Sequence, residues 1–435
     1  MKREHPRYGS ALGGSPVNDL KRLELEPGGA KPKERGPGPW LIGLVTFVLL
    51  FGLSLGFVLA LLWESGKSSP AGERVSRWPL LLGKRVNVLF IGTDVTLDRY
   101  RRVVPISRSD TLILVTFDPE RRRVVALSIP RDTRAEIPGV GVTKINASYA
   151  FGGASLTVRT VEQLLGVHIP FYVQMGVKGF VRLIDALGGI EVDVERDMYY
   201  VDRWAGLTIN LKKGRQLLNG EQAMGYARFR HEALGDIGRV QRQQKVLLAI
   251  LQRLRSPATW LRLPQVLRAF SENTETNLTL PDLLTLGWFA FRVGPEGLST
   301  ATLPGRFSTG YWEPTWPEIR PLIARDFLGV DPEELAATTI EVLNGSDVPG
   351  LARQTARRLE NLGFHIARIG TSPQHVEETA VIDHVGRPRV VQALQESLGV
   401  ARVIVQPAGP IAHTQGISGN GPDITVILGK SSSSP

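Results

Sequence analysis

The sequence predicts an α/β protein: a mixed central sheet with helices on both faces, one N-terminal transmembrane helix and a small α+β domain at the C-terminus. Three observations predict it. Short, nearly continuous apolar runs rich in β-branched residues, VNVLFIG at 86–92, TLILVTF at 111–117 and RRVVALSI at 122–129, have the character of strands buried on both faces. Segments with apolar residues at helical spacing interleave with such runs, which is the pattern of helices layered on a sheet. A run without any charge, Leu41–Leu62, comes before both.

The elements follow in order. Residues 1–39 are rich in Gly, Pro and mixed charge and predict a disordered cytoplasmic tail. Residues 40–63 predict a transmembrane anchor framed by Trp40 and Trp63. At about 1.5 Å per residue the run crosses a hydrocarbon core of about 30 Å. It is longer and more uniform than a cleavable signal core, and no A-x-A-like site follows it, so the anchor is expected to stay. Lys21, Arg22, Lys31, Lys33 and Arg35 upstream outnumber Lys67, Arg74 and Arg77 downstream. This bias predicts a single-pass cell-membrane protein with its N-terminus cytoplasmic and the remainder extracytoplasmic.

Residues 64–84 then form a linker to the main domain, expected over 85–335. Its helices are expected at 155–165, 178–187, 220–227, 237–254 and 281–292, with a strand, IEVDV, after Gly188-Gly189 and packed helix in PTWPEIRPLIARDFLG. A second domain is expected at 338–429, with a strand, turn, helix and strand in TTIEVLNGSDVPGLARQTARRLENLGFHIARIG, a helix in VVQALQESLG and a closing strand in DITVILG. It lacks the charge cluster of the main domain, so binding or spacing suits it better than catalysis. Residues 430–435 predict a disordered tail.

Composition excludes several chemistries. Without cysteine there is no thiol nucleophile, disulfide, Cys-ligated zinc or iron–sulfur cluster. The seven histidines are scattered and no HExxH occurs, which argues against a His-ligated metal. The GKS triplets at Gly66 and Gly429 lack the preceding glycine of a P-loop, and no GxSxG elbow is present. The net charge of +10 suits anionic lipid and cell-wall polymer for an anchored external domain, and no nucleic acid is expected.

Arginines and aspartates gather where apolar runs end: RSD at 108–110, IPRD at 129–132, RFRH at 228–231 and DIGRVQRQQ from 236. Carboxylate oxygens suit Mg²⁺, which shares its ligands with substrate phosphates, and the planar guanidinium fork suits phosphate oxygens. Arg108 and Asp110, two apart, share a face of extended backbone. Arg228 and Arg230 face one ligand only if their helix has ended by Ala227. Asp236 is placed to cap the next helix, with Arg239 and Gln243 on one face of it. Blander readings stand beside these: Asp236 as a simple cap, Arg239 or Arg242 as a solvated face, and one of Arg131 and Asp132 serving a turn. Lys144 and Asn146 are candidate substrate contacts or loop and turn residues, with Gly152-Gly153 ending the segment. His231 reads as a hydrogen-bonded neighbour, and the apolar helix faces as core in preference to a lipid pocket.

Through SRSDTLILVTFDP, SIPRDT, TKINASYAFGG, TVEQLLGVHIPFYV, LIDALGGIEVDV, LNGEQAMGYARFRH and DIGRVQRQQ, the stretch from Asn87 to Leu254 resembles the LytR-CpsA-Psr family of bacterial cell-envelope proteins. Residues 338–429 are similar to the LytR C-terminal domain through IEVLNGSDVPGLA. The resemblance implies a membrane-anchored, externally facing α/β domain that moves a glycopolymer, such as teichoic acid or capsule, from a polyprenyl-pyrophosphate carrier onto peptidoglycan. It implies Mg²⁺ and a hydrophobic pocket for the lipid tail. It further implies Asp94 and Asp110 as metal ligands, and Arg108, Arg131, Arg228, Arg230, Arg239 and Gln243 around the pyrophosphate. Asp236 matches an acidic position of the family. One departure is Gly176, where the family often carries Asp. A polyprenyl-pyrophosphate phosphatase using water as acceptor, and a non-catalytic envelope-binding or regulatory protein, are the alternative functions.

Overall fold

The apolar runs at 86–92, 111–117 and 122–129 form the middle of a six-stranded sheet, as Val86–Thr93 (β1), Ser109–Asp118 (β2) and Arg123–Ile129 (β3). The computed structural model describes residues 85–93, 108–202, 207–229, 235–398 and 421–430. The expected tail, anchor and linker at 1–84 lie outside the described residues, as do Asp94, Arg230 and His231. β1, β2 and β3 run as an antiparallel meander. A hairpin of Arg134–Ile137 (β4) and Gly141–Lys144 (β5) follows. These strands are too short and too exposed to stand out in the sequence.

Helix α1 spans Ala147–Leu165 but breaks at Gly152 and Gly153, where Gly153 has φ 62°. The break divides a first turn at Ala147–Phe151, in a stretch expected as loop, from the helix expected at 155–165. The chain returns through Phe171–Gly176 (β6), which pairs parallel to β1. Helix α2, Val177–Leu187, stops at Gly188 in the left-handed region. The next strand, Ile190–Val194 (β7), alternates buried and exposed residues, as a strand covered on one face does. It pairs with Gly214–Leu218 (β10) outside the central sheet, and Met198–Asp202 (β8) pairs with Leu207–Leu211 (β9).

Four helices follow: Gly220–Arg228 (α3), Gly235–Leu254 (α4), Pro257–Trp260 (α5) and Leu263–Asn273 (α6). α3 opens with a reciprocal capping box between Asn219 and Gln222. Thr274–Thr276 (β11) joins the edge beside β6; helix α7, Leu280–Val293, leads to Leu298–Thr302 (β12), parallel to β3 at the other edge. The strand order is β11-β6-β1-β2-β3-β12.

A hairpin of Gly305–Ser308 (β13) and Tyr311–Pro314 (β14) precedes helix α8, Trp316–Leu322, which continues into a π-helical stretch at Ile323–Leu328. After Pro332–Ala337 (α9), a four-stranded sheet contains Thr339–Asn344 (β15), His365–Thr371 (β16), Ala380–Asp383 (β17) and Ile424–Leu428 (β18), with Leu351–Asn361 (α10) and Pro388–Leu398 (α11) as its helices.

Alternation along the central strands gives two apolar faces. Leu89, Ile91, Leu112, Leu114 and Leu127 belong to a cluster that takes in Val161 and Leu165 of α1 and Phe327, and runs on without interruption to Ile340, Leu359 and Leu394. The C-terminal α+β portion therefore shares its core with the main sheet. A buried ion lattice reinforces the junction: Arg85, entering β1, reaches Glu396 of α11 at 3.1 Å and Asp118 of β2 at 3.7 Å. Burial raises the Glu396 carboxyl, and the Arg85 guanidinium opposes that rise. The opposite sheet face, with Val88, Val115 and Ala126, packs on Leu286 and Ala290 of α7. Lys430 does not belong to a free tail, because its Nζ pairs with Glu377 at 3.2 Å.

Candidate active site

The site begins with a bulge. Gly92 pairs with Thr111 and Thr93 with Ser109, so Asp110 is the residue left over on β2. In regular alternation Asp110 and Thr111 would point to opposite faces, yet both line one cavity. The strands approach so closely here that a Cβ on Gly92 would lie 2.9 Å from Thr111 Cβ. Beyond the end of β3, Pro130–Thr133 forms a turn closed by Thr133 N–H on the Pro130 carbonyl at 2.9 Å. That turn presents Arg131, whose Nη1 donates to Asp110 Oδ1 at 2.6 Å. Asp132 does not point away from its neighbour: it lies 3.7 Å from Arg131 Nε and 2.8 Å from Lys144 Nζ, because a tight turn replaces the expected extended strand.

All of this sits at the carboxyl ends of the parallel strands β1, β3 and β6, where crevices of α/β sheets open. Below it lies a cavity of about 620 Å³. Phe90, Ile113, Val115 and Val173 of the sheet make its floor, and Phe180, Leu183 and Phe270 of α2 and α6 its walls. Sequence reasoning favoured core for these helix faces, and the structure corrects it: a void remains between them and the sheet. Periodicity identifies an apolar face but carries no information on what fills the space opposite.

Helix α4 closes the cavity with a graded face. Arg239 and Gln243 line it near the N-terminal end, and Val246, Leu247 and Ile250 follow further along. Gln243 Nε2 donates to Thr111 Oγ1 at 3.2 Å, tying α4 to the bulge. Arg228, last residue of α3, lines the mouth as well. The expected end of α3 at Ala227 is off by one residue; Phe229 caps the helix with an extended ψ of 130°, so the chain leaves the helix just before Arg230.

Behind this exit lies a cluster that sequence reasoning missed. Arg242 is 2% exposed and far from a solvated face. Its Nη2 donates to the Phe229 carbonyl at 2.6 Å and its Nη1 to Glu195 at 3.1 Å. Glu195 also accepts from Tyr226 Oη at 2.8 Å and Lys245 Nζ at 3.1 Å. Burial pushes the Glu195 carboxyl up, but its own backbone N–H, Tyr226, Lys245 and Arg242 outweigh that and bring it down to about 2. Burial, with Glu195 beside it, raises the Tyr226 phenol. Nothing local in the sequence signals it, because Arg242 and Glu195 lie 47 residues apart.

Of the remaining sequence candidates, Arg108, Lys144 and Asn146 are not among the residues lining the cavity. Arg108 is exposed just before β2. Lys144 is held by Asp132, and Asn146 is buried at the start of α1 with its N–H on the Arg131 carbonyl at 3.2 Å. Asn146 thus holds the Arg131 backbone and Lys144 its neighbour Asp132, and neither lines the cavity. Asp236 lies inside the first turn of α4, since the helix begins at Gly235; it is not the residue before the helix. Its side chain is outside the described residues. Gly176 lines the mouth, and a Cβ there would meet only Thr93 Oγ1 at 3.8 Å, so its backbone leaves room for a side chain.

Among the described residues no group of three or more acidic or histidine side chains is arranged around a cation. Asp110 is the one carboxylate among the described residues that line the cavity. A hard oxygen donor in company with hydroxyls fits Mg²⁺, which is held by one or two carboxylates together with water and substrate phosphates.

Sheet, bulge and graded helix define a mixed α/β domain with an arginine-rimmed apolar cavity at its carboxyl edge. The chain belongs to the LytR_cpsA_psr family, whose model matches residues 69–319. The model described as LytR cell envelope-related transcriptional attenuator matches residues 337–431. The polyisoprenyl-teichoic acid–peptidoglycan teichoic acid transferase TagV of Bacillus subtilis is 36% identical over 242 residues, 53% of this chain and 61% of TagV. The regulatory protein MsrR of Staphylococcus aureus is 33% identical over 223 residues, 51% of this chain and 64% of MsrR. The transferase TagU of Enterococcus faecalis is 36% identical over 256 residues, 55% of this chain and 82% of TagU. The crystal structure of B. subtilis TagV aligns at 30% identity with a TM-score of 0.47, over 65% of this chain and 98% of that one. The chain spans less than two thirds of the length of TagV and of MsrR.

Proposed function

We propose that the protein is a membrane-anchored phosphotransferase that moves a glycopolymer from a polyprenyl-pyrophosphate carrier to peptidoglycan on the outer side of the cell membrane. One observation carries the reading: along a single face of α4 the cavity lining changes from Arg239 and Gln243 to Val246, Leu247 and Ile250. Eleven residues of helix cover about 16 Å, at about 1.5 Å per residue. An amphiphile with an anionic head and an isoprenoid tail matches that gradient. TagV and TagU are named for polyisoprenyl-linked teichoic acid and peptidoglycan, which supports a lipid-carried donor and a peptidoglycan acceptor.

In the proposed reaction an acceptor hydroxyl attacks the phosphorus attached to the glycan, forming a new phosphodiester bond, and its proton ends on the departing polyprenyl phosphate. The bond from that phosphorus to the bridging oxygen breaks, and polyprenyl phosphate leaves. Negative charge grows on the bridging oxygen, so donors already in place lower the barrier without reorganising. Arg131, Arg228 and Arg239 line the space where that charge would develop, and Asp110 fixes the orientation of Arg131. Arg230 would complete the proposed clamp around the pyrophosphate, and Arg108, outside the cavity lining but two residues from Asp110, would join it from the rim. Asp110 and Asp94 would hold Mg²⁺, which supplies charge neutralisation at the pyrophosphate oxygens when bound.

The test is to reconstitute the full chain in vesicles with lipid-linked polymer, with and without peptidoglycan. Covalent transfer that requires peptidoglycan supports the transferase. Polymer released at equal rate without acceptor would make the protein a phosphatase, and an intact carrier with bound ligand would make it a binding protein.

A further inference from the structure

Three aromatic rings meet at the surface on the helical side. Trp288 and Phe291 of α7 stack with centroids 5.4 Å apart, and Trp260 of α5 stands edge-on to them at 6.5 and 5.4 Å. Trp260 is 46% exposed, Trp288 53% and the adjoining Leu261 87%, with Phe291 half-buried between them. Isolated exposed apolar residues are ordinary, but a contiguous cluster marks a surface built for contact.

α7 shows why the cluster is not leftover core. Leu286 and Ala290 are buried against the sheet. Leu284, Trp288 and Phe291 follow at i, i+4 and i+7 on the opposite side. A helix apolar on both sides needs a second partner for the outer one. The rim indicates its chemistry. Arg255 lies over the Phe291 ring at 6.0 Å, and exposed Arg262 and Arg292 adjoin Leu261 and Phe291 in sequence. The acid near them, Glu296, is 3.9 Å from Arg255.

Indole rings prefer the membrane–water boundary, where an apolar body and a polar N–H are both accommodated. Arginine stems lie along apolar surface while their heads reach phosphate. The inner face of α7 also shares its apolar cluster with Leu247 and Phe270, two residues of the cavity wall.

The geometry points to the Trp260–Leu261–Trp288–Phe291 cluster as an interfacial docking surface that seats this domain on an anionic phospholipid bilayer beside its cavity. The inference rests on the proposed lipid-carried donor, whose tail has to pass from bilayer to cavity. Its test needs no turnover, so it succeeds or fails independently of the transfer reaction.

The chain contains no cysteine, so a spin label can be placed at one chosen site. Leu261→Cys and Tyr199→Cys are labelled in the full chain and reconstituted in vesicles of phosphatidylglycerol and phosphatidylcholine. Tyr199, 71% exposed on β8, is the aqueous control. At position 261 the label should be several-fold less accessible to a water-soluble nickel chelate than at 199, and more accessible to oxygen. Equal nickel accessibility at both positions overturns the proposal. Protection at 261 from nickel and oxygen alike also overturns it, since that is the signature of a protein partner.

Discussion

Arg131 donates from Nη1 to Asp110 Oδ1 across 2.6 Å, and Asp110 is the residue that the bulge between β1 and β2 leaves without a pairing partner. The pair therefore depends on a register defect in one strand pair and on a turn at the end of a third strand. Both partners are partly open to the cavity, with side chains 26% and 34% exposed, so the guanidinium is held in one orientation without being sealed from a ligand.

Replacing Arg131 with Ala should lower transfer by roughly 100- to 1000-fold, the loss associated with one preorganised donor worth about 3–4 kcal/mol of barrier. Arg131→Lys should recover only part of it, because an ammonium lacks the planar fork. Initial rates, with melting temperatures to confirm the fold, check this; near-normal rates in Arg131→Ala would remove Arg131 from the mechanism.

Filling the cavity should discriminate between carriers. Ile250→Trp places a larger ring among the apolar lining residues. It should raise KM for a long polyprenyl carrier while leaving a short-chain analogue almost unaffected. Equal effects on both would mean that the tail does not occupy this space.

Much of this arrangement was legible in the sequence. The strands around Leu89, Leu114 and Leu127 were identified because double-sided burial leaves a continuous apolar run, and α2 was bounded by Gly188, which takes the left-handed conformation. Arg131, Arg228, Arg239 and Gln243 stand out in the sequence as charged or polar residues at element ends, and the structure gathers all four around one cavity. The bulge was not legible, because register is a property of two strands together. Nor was the link from Arg242 to Glu195, which joins groups far apart in the chain with ordinary local patterns. The void over the sheet was hidden for a similar reason: Ile250 reads alike whether a side chain or a ligand faces it.

The cluster behind Phe229 should make stability depend on acid. Glu195 has its ordinary value of 4.5 when unfolded and about 2 when folded, a depressed folded value. Its contribution is thus present in full above pH 4.5 and is lost as pH falls from there towards 2. Glu195→Gln should lower stability at neutral pH and flatten the change between pH 5 and 3. Urea unfolding midpoints across that range measure it, and parallel curves for both proteins would show that Glu195 does not carry the linkage.

Removing residues 338–435 should destabilise the main sheet. Phe327, Leu328 and Leu335 share one apolar cluster with Ile340, Leu359 and Leu394, and Arg85 would lose Glu396. Exposed apolar surface and the loss of one of the two carboxylates that Arg85 pairs with both act against the truncated chain. We predict a lower melting temperature and aggregation; a truncated protein melting like the full chain would show the C-terminal portion to be energetically separate.

The most direct measurement follows radiolabelled phosphorus placed on the glycan side of the donor pyrophosphate. The full chain in vesicles, supplied with Mg²⁺ and peptidoglycan, should move that label into peptidoglycan and leave polyprenyl phosphate behind. Asp110→Asn and Arg131→Ala should slow both products together. Label that stays on the lipid with wild-type protein, or that moves equally well in the two variants, would contradict transfer at this site.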